Sequence, residues 1–312
     1  MPVYAGIDIG TLTLRLLVAR VIDGRLRELD ADRRIIRLGE GLHPTRRLQA
    51  APMARAIEAI VEWMPRIDKA GAREVAAVAT SAVRDAVNRD EFLAEVKRCT
   101  GCDVAVLSGE EEARLSLLGI QSGLPPDVTQ YVALDIGGGS TEFIKAAPDQ
   151  PPAMVSSNEG VVRLTEDCLQ SDPPTPDEVA AARTRIRNHL RAVQETLGSV
   201  AGHHLVGTAG TITTLAAMDQ QLETYKPTRI HNYRLSGDAV RRILADLTSR
   251  THAQRRALPG LESGREDLIV AGTLILLECM EWFGFVECRV SEYGLREGIL
   301  LDRWQKSQGS CT

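Results

Sequence analysis

The chain has 312 residues, of which 44% are apolar and 25% are charged, and its formal net charge is −5. This balance is typical of a soluble protein and shows no sign of a DNA-binding surface. No apolar stretch reaches the roughly 20 residues that a membrane span needs. The N-terminal MPVYAGIDIG also lacks the basic and apolar regions of a signal peptide, so we expect a cytoplasmic protein.

Apolar periodicity predicts alternating strands and helices in the first part of the chain. The predicted elements are a strand segment at 3–20, hairpin strands at 26–38, a helix at 51–70, a strand at 74–79, a helix at 89–99 and a strand at 103–107. The stretch SGEEEARLSLLGI (108–120) then predicts a helix, because Ser108 and Glu111 can form a capping box.

The pattern starts again after the break GLPP at 123–126. The predicted elements are strands at 131–135 and 143–146, a helix from 175–178 to about 198, a strand at 203–206, a helix at 267–283, a strand at 287–291 and a last helix at 295–305. This alternation predicts an α/β fold with a mixed sheet in each half.

An internal repeat indicates duplication. AGIDIGTLTLRLLVA (5–19) and VALDIGGGSTEFIKA (132–146) share a strand, Asp-Ile-Gly, small hydroxyl residues and a returning apolar strand. Asp135 follows Asp8 by 127 residues, about one domain length. We therefore expect two related domains, 1–124 and 125–312, that face each other across a cleft. The last helix, about 295–308, is expected to pack back on the first domain.

Glycine-rich turns after strands let backbone N–H groups approach a phosphate. Gly137, Gly138 and Gly139 suit this purpose, and Ser140 adds a hydroxyl donor. The alternative is a tight hairpin turn, which needs only one or two glycines. A third such turn follows a strand in GTAGT (207–211), where the candidate phosphate ligands are Gly207 and Thr208.

Three acids lie beside these turns. Asp8, Asp135 and Glu142 are candidate ligands of Mg²⁺, which prefers one or two carboxylates completed by waters and phosphate oxygens. A turn-capping role is the alternative for Asp135. The Glu110–Glu112 run either complements the dipole of its helix or supplies one carboxylate that orients an attacking water.

An arginine follows the strand at 74–79. Arg84 comes just after Thr80 and Ser81, where a guanidinium can bind a phosphate in bidentate fashion and Thr80 can add a hydroxyl. The alternative is a solvated surface arginine. The CxxC pair Cys99 and Cys102 is half a zinc site at most, and we expect reduced thiols there.

Seven stretches together resemble the exopolyphosphatase / guanosine pentaphosphate phosphohydrolase family, which belongs to the actin-like (ribonuclease H-like) superfamily. They are DIGTLTLRLL (8–17), RLGEGL (37–42), ATSAVRDAVNRDEF (79–92), SGEEEARL (108–115), DIGGGSTE (135–142), GTAGTITTLA (207–216) and GLREGIL (294–300). The resemblance covers nearly the whole chain, and SGEEEAR combined with DIGGGSTE is specific to this branch.

The resemblance implies metal-dependent hydrolysis of a terminal phosphoanhydride, with Mg²⁺ or Mn²⁺, between two actin-like domains. It implies that Glu112 activates the attacking water, that Asp135 and Glu142 lie around the metal, and that Arg84 binds phosphate. The loop at 137–140 would hold the terminal phosphates.

Two features depart from the family. Its first loop usually reads Ser-Asn-Ser, where this chain has Thr11, Leu12 and Thr13; the threonines can replace serine donors, but Leu12 cannot replace the asparagine amide. The extra C-terminal helical region of longer members is also lacking, which favours short chains as substrates.

The expected function is that of an exopolyphosphatase. The first alternative is the same hydrolysis on guanosine pentaphosphate. It is less favoured because a base and ribose need a pocket, and the chain has only 4% aromatic residues to form one. The others are a phosphotransferase and a non-catalytic sensor of polyphosphate or alarmone. We expect a homodimer, the commonest assembly among soluble oligomers.

Overall fold

A computed structural model of the chain describes residues 2–309. These residues divide into two compact units: unit 1 is residues 2–122 together with 293–309, and unit 2 is residues 123–292. No helix within 2–309 is both long and apolar enough to span a bilayer.

Strands and helices alternate as the apolar periodicity predicts. The strands are β1 (Val3–Ile9), β2 (Thr13–Ile22), β3 (Arg25–Ile35), β4 (Glu74–Ala79), β5 (Val104–Val106), β6 (Tyr131–Ile136), β7 (Thr141–Ala146), β8 (Ala153–Ser157), β9 (His204–Thr208), β10 (Arg234–Ser236) and β11 (Glu287–Val290). The helices are α1 (Leu42–Thr45), α2 (Ala50–Lys69), α3 (Ser81–Asp85), α4 (Arg89–Thr100), α5 (Gly109–Gly123), α6 (Val161–Cys168), α7 (Pro176–Leu197), α8 (Ala209–Asp219), α9 (Pro227–Ile230), α10 (Gly237–Thr248), α11 (His252–Arg255), α12 (Ile269–Phe283) and α13 (Leu295–Gly309).

Each unit contains one mixed sheet, and the two sheets repeat one topology. The order is β3-β2-β1-β4-β5 in unit 1 and β8-β7-β6-β9-β11 in unit 2, where β10 adds a sixth strand at the edge. In both sheets the first two pairings are antiparallel and the next two are parallel. This shared topology confirms the duplication and the mixed α/β sheets that the sequence predicts.

Helices cover both faces of the sheet in unit 1, which explains why β1 is apolar and buried along its whole length. One face packs against α2 and α4, with Ile7 and Trp63 in its core. The other face packs against α13, where Leu17 and Leu300 meet. Gly6 lies so close to Leu300 that a Cβ would overlap its side chain.

In unit 2 the longest apolar run of the sequence becomes a central helix. Residues Ile269–Met280 of α12 are all buried, and the helix packs against α6, α7, α8 and α10. A helix that is apolar on every side is stable only when other elements surround it.

Nine elements have no counterpart in the sequence prediction: the strands β8 and β10 and the helices α1, α3, α6, α8, α9, α10 and α11. The strands β8 and β10 lie at the two edges of their sheet; β8 lacks the alternation that marks a half-buried strand, and β10 alternates over only three residues, too few to predict a strand. Tertiary pairing, rather than local pattern, therefore creates both strands.

Candidate functional site

The first loop joins β1 and β2 in a tight turn. The N–H group of Gly10 donates to the carbonyl of Thr13 at 3.0 Å, and a Cβ on Gly10 would lie 2.9 Å from that same oxygen. The carbonyl oxygens of Thr11 and Leu12 accept hydrogen bonds of 2.9–3.0 Å from N–H groups within residues 36–39. These bonds occupy the loop carbonyls, which would otherwise repel an anion.

Hydroxyl groups connect this loop to the segment after β4. The Thr11 Oγ1 and Ser81 Oγ atoms lie 2.8 Å apart, and Thr80 directly precedes α3. Thr11, Thr13, Thr80 and Ser81 are all buried, as is Leu12, which is 4% exposed. The structure thus brings together three predicted phosphate ligands and packs Leu12 into the core.

Arg84 and Glu112, which the sequence names for separate reasons, form an ion pair. Arg84 Nη1 donates to Glu112 Oε2 at 3.0 Å and to the carbonyl of Leu107 at 2.9 Å. Glu110 and Glu111 at the start of the same helix are exposed, whereas Glu112 is buried. Complementing the helix dipole therefore accounts for the first two acids, but not for the buried third.

The second loop joins β6 and β7 with the same turn. The N–H group of Gly137 donates to the carbonyl of Ser140 at 2.9 Å, and a Cβ on Gly137 would lie 2.9 Å from this oxygen. The first N–H groups of α6, from Val161 and Val162, donate to the carbonyls of Gly137 and Gly138 at 3.1 and 2.8 Å. The glycine-rich segment therefore does form a tight hairpin turn, and this turn is the same loop that the sequence predicts to bind phosphate.

The carbonyl groups of Gly137 and Gly138 in this loop are hydrogen-bonded, but two of its backbone N–H groups are not bonded within the described part of the chain. Those of Gly138 and Gly139 make no hydrogen bond within residues 2–309. Behind the loop, a Cβ on Gly160 would lie 2.5–2.6 Å from backbone atoms of both glycines. A loop with engaged carbonyls and available N–H groups can bind a phosphate.

Two acids face each other at the base of this loop. Asp135 and Glu142 are directly opposite in the antiparallel β6–β7 register, so their Cβ atoms lie about 5 Å apart. Glu142 is 1% exposed, and Ser156 Oγ donates to its Oε1 at 2.8 Å. Two opposed carboxylates fit a hard divalent cation such as Mg²⁺, which keeps waters or phosphate oxygens as its other ligands.

No larger cluster of metal-binding side chains accompanies this pair among residues 2–309. Within the part of the chain that the structure describes, no group of three or more His, Cys, Asp or Glu side chains could hold a metal ion. Asp135 and Glu142 thus form a two-carboxylate pair, and a Mg²⁺ ion there would need waters or phosphate oxygens as its other ligands.

In unit 1 the corresponding position differs, and the sequence prediction missed it. Opposite Asp8 in the β1–β2 register lies Arg15, and opposite Arg15 in β3 lies Arg33. Arg15 Nε is buried and makes no hydrogen bond within residues 2–309. A buried guanidinium nitrogen with donor capacity left is suited to an anion. Counting outward from the turn of the predicted hairpin, where Ile9 pairs with Leu14, places Arg15 opposite Asp8, and this is the signal that could have found it.

The third predicted turn lies at the end of β9. A Cβ on Gly207 would lie 2.5 Å from Ile212 Cδ1 and 2.7 Å from Cys288 Sγ, so packing requires glycine there. Thr208 directly precedes α8 and is buried. The sequence prediction also missed Arg265.

Arg265 is 4% exposed, and its guanidinium lies against Gly210 in the first turn of α8, where a Cβ would be 2.5 Å from Cζ. Its Nε donates to Glu262 at 2.5 Å. The guanidinium thus packs against the start of α8 while Glu262 balances its charge.

The predicted site residues therefore form one group in each unit. Unit 1 contains Asp8, Thr11, Thr13, Thr80, Arg84 and Glu112, and unit 2 contains Asp135, Gly137, Gly138, Gly139, Ser140, Glu142, Gly207 and Thr208. In unit 1 the contacts connect Thr11 to the segment after β4 and Arg84 to Glu112; in unit 2 the β6–β7 hairpin holds all but the last two, which lie on the neighbouring strand β9.

Comparison with known proteins gives a consistent result. Residues 17–307 match the Ppx/GppA phosphatase family. The chain is 36% identical over 310 residues to exopolyphosphatase 2 of Mycobacterium tuberculosis, and the match covers 95% of this chain and 97% of that protein.

Solved structures agree with the sequence matches. An exopolyphosphatase-like protein superposes with a TM-score of 0.92 at 32% identity, over 97% of this chain and 99% of its own. A Ppx/GppA family member from Aquifex aeolicus superposes with a TM-score of 0.83 at 33% identity, over 98% of both chains.

Proposed function

Because the chain belongs to the Ppx/GppA phosphatase family, we propose that it is a metal-dependent exopolyphosphatase. It hydrolyses the terminal phosphoanhydride of inorganic polyphosphate, short chains included, and releases orthophosphate. Phosphatase activity follows from the family; the polymer and the metal are the proposal. Its 36% identity to a protein named exopolyphosphatase 2 supports the choice of substrate.

The observation that carries the proposal is the second loop. Gly138 and Gly139 have N–H groups without a hydrogen bond inside residues 2–309, next to the opposed carboxylates of Asp135 and Glu142. We assign the terminal phosphates to these N–H groups. Mg²⁺ or Mn²⁺ held by the two carboxylates would neutralise phosphate charge.

Unit 1 contains the Arg84–Glu112 ion pair, whose chemistry suits the hydrolysis step. Glu112 accepts a hydrogen bond from water and takes its proton as the water oxygen forms a bond to the terminal phosphorus. The P–O bond to the rest of the polymer breaks, and the polymer leaves as the anion of the shortened chain. Arg84 uses one nitrogen for Glu112 and Leu107, and its other donors can bind phosphate oxygens.

The test measures orthophosphate release from tripolyphosphate, long-chain polyphosphate and guanosine pentaphosphate, with Mg²⁺ and with chelator. We expect release from the polyphosphates that requires the metal, and a loss of about 10³-fold in Glu112→Gln. Glu110→Gln is the matched control, because it removes an exposed acid from the same first turn of α5.

Each other outcome contradicts part of the proposal. Release from guanosine pentaphosphate alone would show that the nucleotide is the substrate. Release in the presence of chelator would show that the reaction does not need a metal. Binding of all three without release would favour the sensor. The homodimer and the cytoplasmic location stay predictions.

A further inference from the structure

The segment directly before α6 contains a buried acid that the proposed reaction does not use. Glu159 is 3% exposed, and two residues of α7 contact its Oε2 atom: Arg185 Nε at 2.5 Å and His189 Nε2 at 3.1 Å. A buried carboxylate is costly unless it is paired. These contacts therefore fix the segment at 158–160 to α7.

The same two residues of α7 hold the neighbouring elements. Arg185 Nη1 donates to Asp167 at the end of α6, at 2.7 Å, and His189 Nδ1 lies 3.2 Å from Ser157 Oγ at the end of β8. Burial disfavours the charge of Arg185, but its hydrogen bonds to Glu159 and Asp167 outweigh this cost and raise its pKa. Both ends of α6 are thus held to α7.

This segment also forms the back of the second loop. Thr141 Oγ1 donates to the carbonyl of Glu159 at 2.6 Å. The next residue, Gly160, contacts the backbone of Gly138 and Gly139, and the two residues after it bind the loop carbonyls. The fixed segment therefore contacts the phosphate loop itself through backbone atoms, and the Thr141 hydroxyl adds one buried side-chain contact beside it.

We propose that Glu159 is a positioning residue: its ion pair with α7 holds the start of α6 against the second loop and so keeps the N–H groups of Gly138 and Gly139 aimed at the terminal phosphate. This proposal rests on the phosphate-binding role proposed above for the loop. Small displacements of a reacting group lower turnover strongly, because the attacking and leaving oxygens must be in line.

The chain contains a matched control for this role. Glu278 in α12 is 1% exposed and also pairs with two residues of α7: Arg183 Nη1 at 2.8 Å and Arg187 Nε at 2.5 Å. It is similarly buried and pairs with the same helix, through two arginines, and among the hydrogen bonds and ion pairs of residues 2–309 its side chain has none to the β6–β7 loop. Loss of its charge therefore measures the structural effect alone.

The experiment compares Glu159→Gln with Glu278→Gln in the full chain. Tripolyphosphate hydrolysis in Mg²⁺ is measured as kcat and KM, and amide hydrogen exchange is measured in the free protein. We expect both variants to lower Tm, but only Glu159→Gln to lower kcat by about 10-fold or more. We also expect the N–H groups of Val161 and Val162 to exchange faster in Glu159→Gln and at the wild-type rate in Glu278→Gln.

An equal loss of kcat in the two variants, or unchanged exchange at Val161 and Val162 in Glu159→Gln, overturns the proposal. The exchange arm needs no substrate, so it decides the positioning role even when the wild type releases no phosphate from tripolyphosphate. If Glu159→Gln does not fold, His189→Gln replaces it, because Arg185 still pairs with Glu159 and a smaller change in the same direction is expected.

Discussion

The two duplicated hairpins carry opposite charge patterns at the same place. Across β1–β2–β3 the row reads Asp8, Arg15 and Arg33, whereas across β6–β7–β8 it reads Asp135, Glu142 and Ser156. The first row has an excess of positive charge and suits direct contact with an anion. The second has two adjacent acids and suits a cation. The two hairpins thus share one backbone scaffold and differ at two of the three positions of this row.

The loops above these rows are alike in backbone and different in support. Each closes with an N–H to carbonyl bond of 2.9–3.0 Å, from Gly10 in one and Gly137 in the other. The carbonyls of the first loop are bound by an extended segment, residues 36–39, and those of the second by the N-terminus of α6. A helix held at both ends is the stiffer support, in keeping with the proposed role of the second loop at the reacting phosphate.

The largest expected effect comes from the acids of the two rows. Asp135→Asn removes one of two opposed carboxylates, so we expect polyphosphate turnover to fall by about 10²–10³-fold and to need more Mg²⁺ for half-saturation. Asp8→Asn should shift the Mg²⁺ requirement less, because Arg15 lies opposite Asp8. Mg²⁺ titrations of both variants check this. An equal shift would make Asp8 a metal ligand, as the sequence predicts, and would end the distinction between the rows.

An intermediate effect is expected from the two turn glycines. Gly10→Ala and Gly137→Ala each place a Cβ 2.9 Å from a backbone carbonyl oxygen, so each should lower the free energy of unfolding by about 1–2 kcal/mol. Urea denaturation of both variants measures this. Clearly unequal losses would show that the two turns are not equivalent.

The smallest effect concerns the support of the first hairpin. Helix α13 packs against β1 and β2, and its Asp302 pairs with Arg114 at 2.9 Å and Lys306 at 2.7 Å. Burial alone would raise the pKa of Asp302, but the hydrogen bonds from Lys306 and Arg114 outweigh it and lower the pKa.

Asp302→Asn should therefore lower the free energy of unfolding at pH 7 by about 0.5–1 kcal/mol, since both cations are largely exposed. A depressed carboxyl pKa stabilises the fold above the ordinary Asp pKa of about 4, and this contribution disappears as the pH falls through the folded value. In thermal melts the difference between variant and wild type should thus shrink as the pH falls below the ordinary Asp pKa and vanish once the folded-state carboxyl is protonated. A difference that persists there would point to packing rather than charge.

Local pattern was sufficient for the hairpins and the long helices. Period-two apolar residues and the glycine turns predicted both duplicated hairpins, and a capping box at Ser108 and Glu111 predicted the start of α5, where the hydrogen bonds of 3.0 and 3.2 Å confirm it. These features depend on residues within about four positions of one another, so the sequence displays them directly.

Among the site residues, the sequence by itself determined which types are present and which loops carry them, because strand, turn and charge are local properties. Only the tertiary structure decided which of three successive glutamates is buried and that Arg84 pairs with Glu112 across 28 positions. Burial and pairing depend on strand register and on the packing of helices far apart in the chain. No local window of the sequence contains that information.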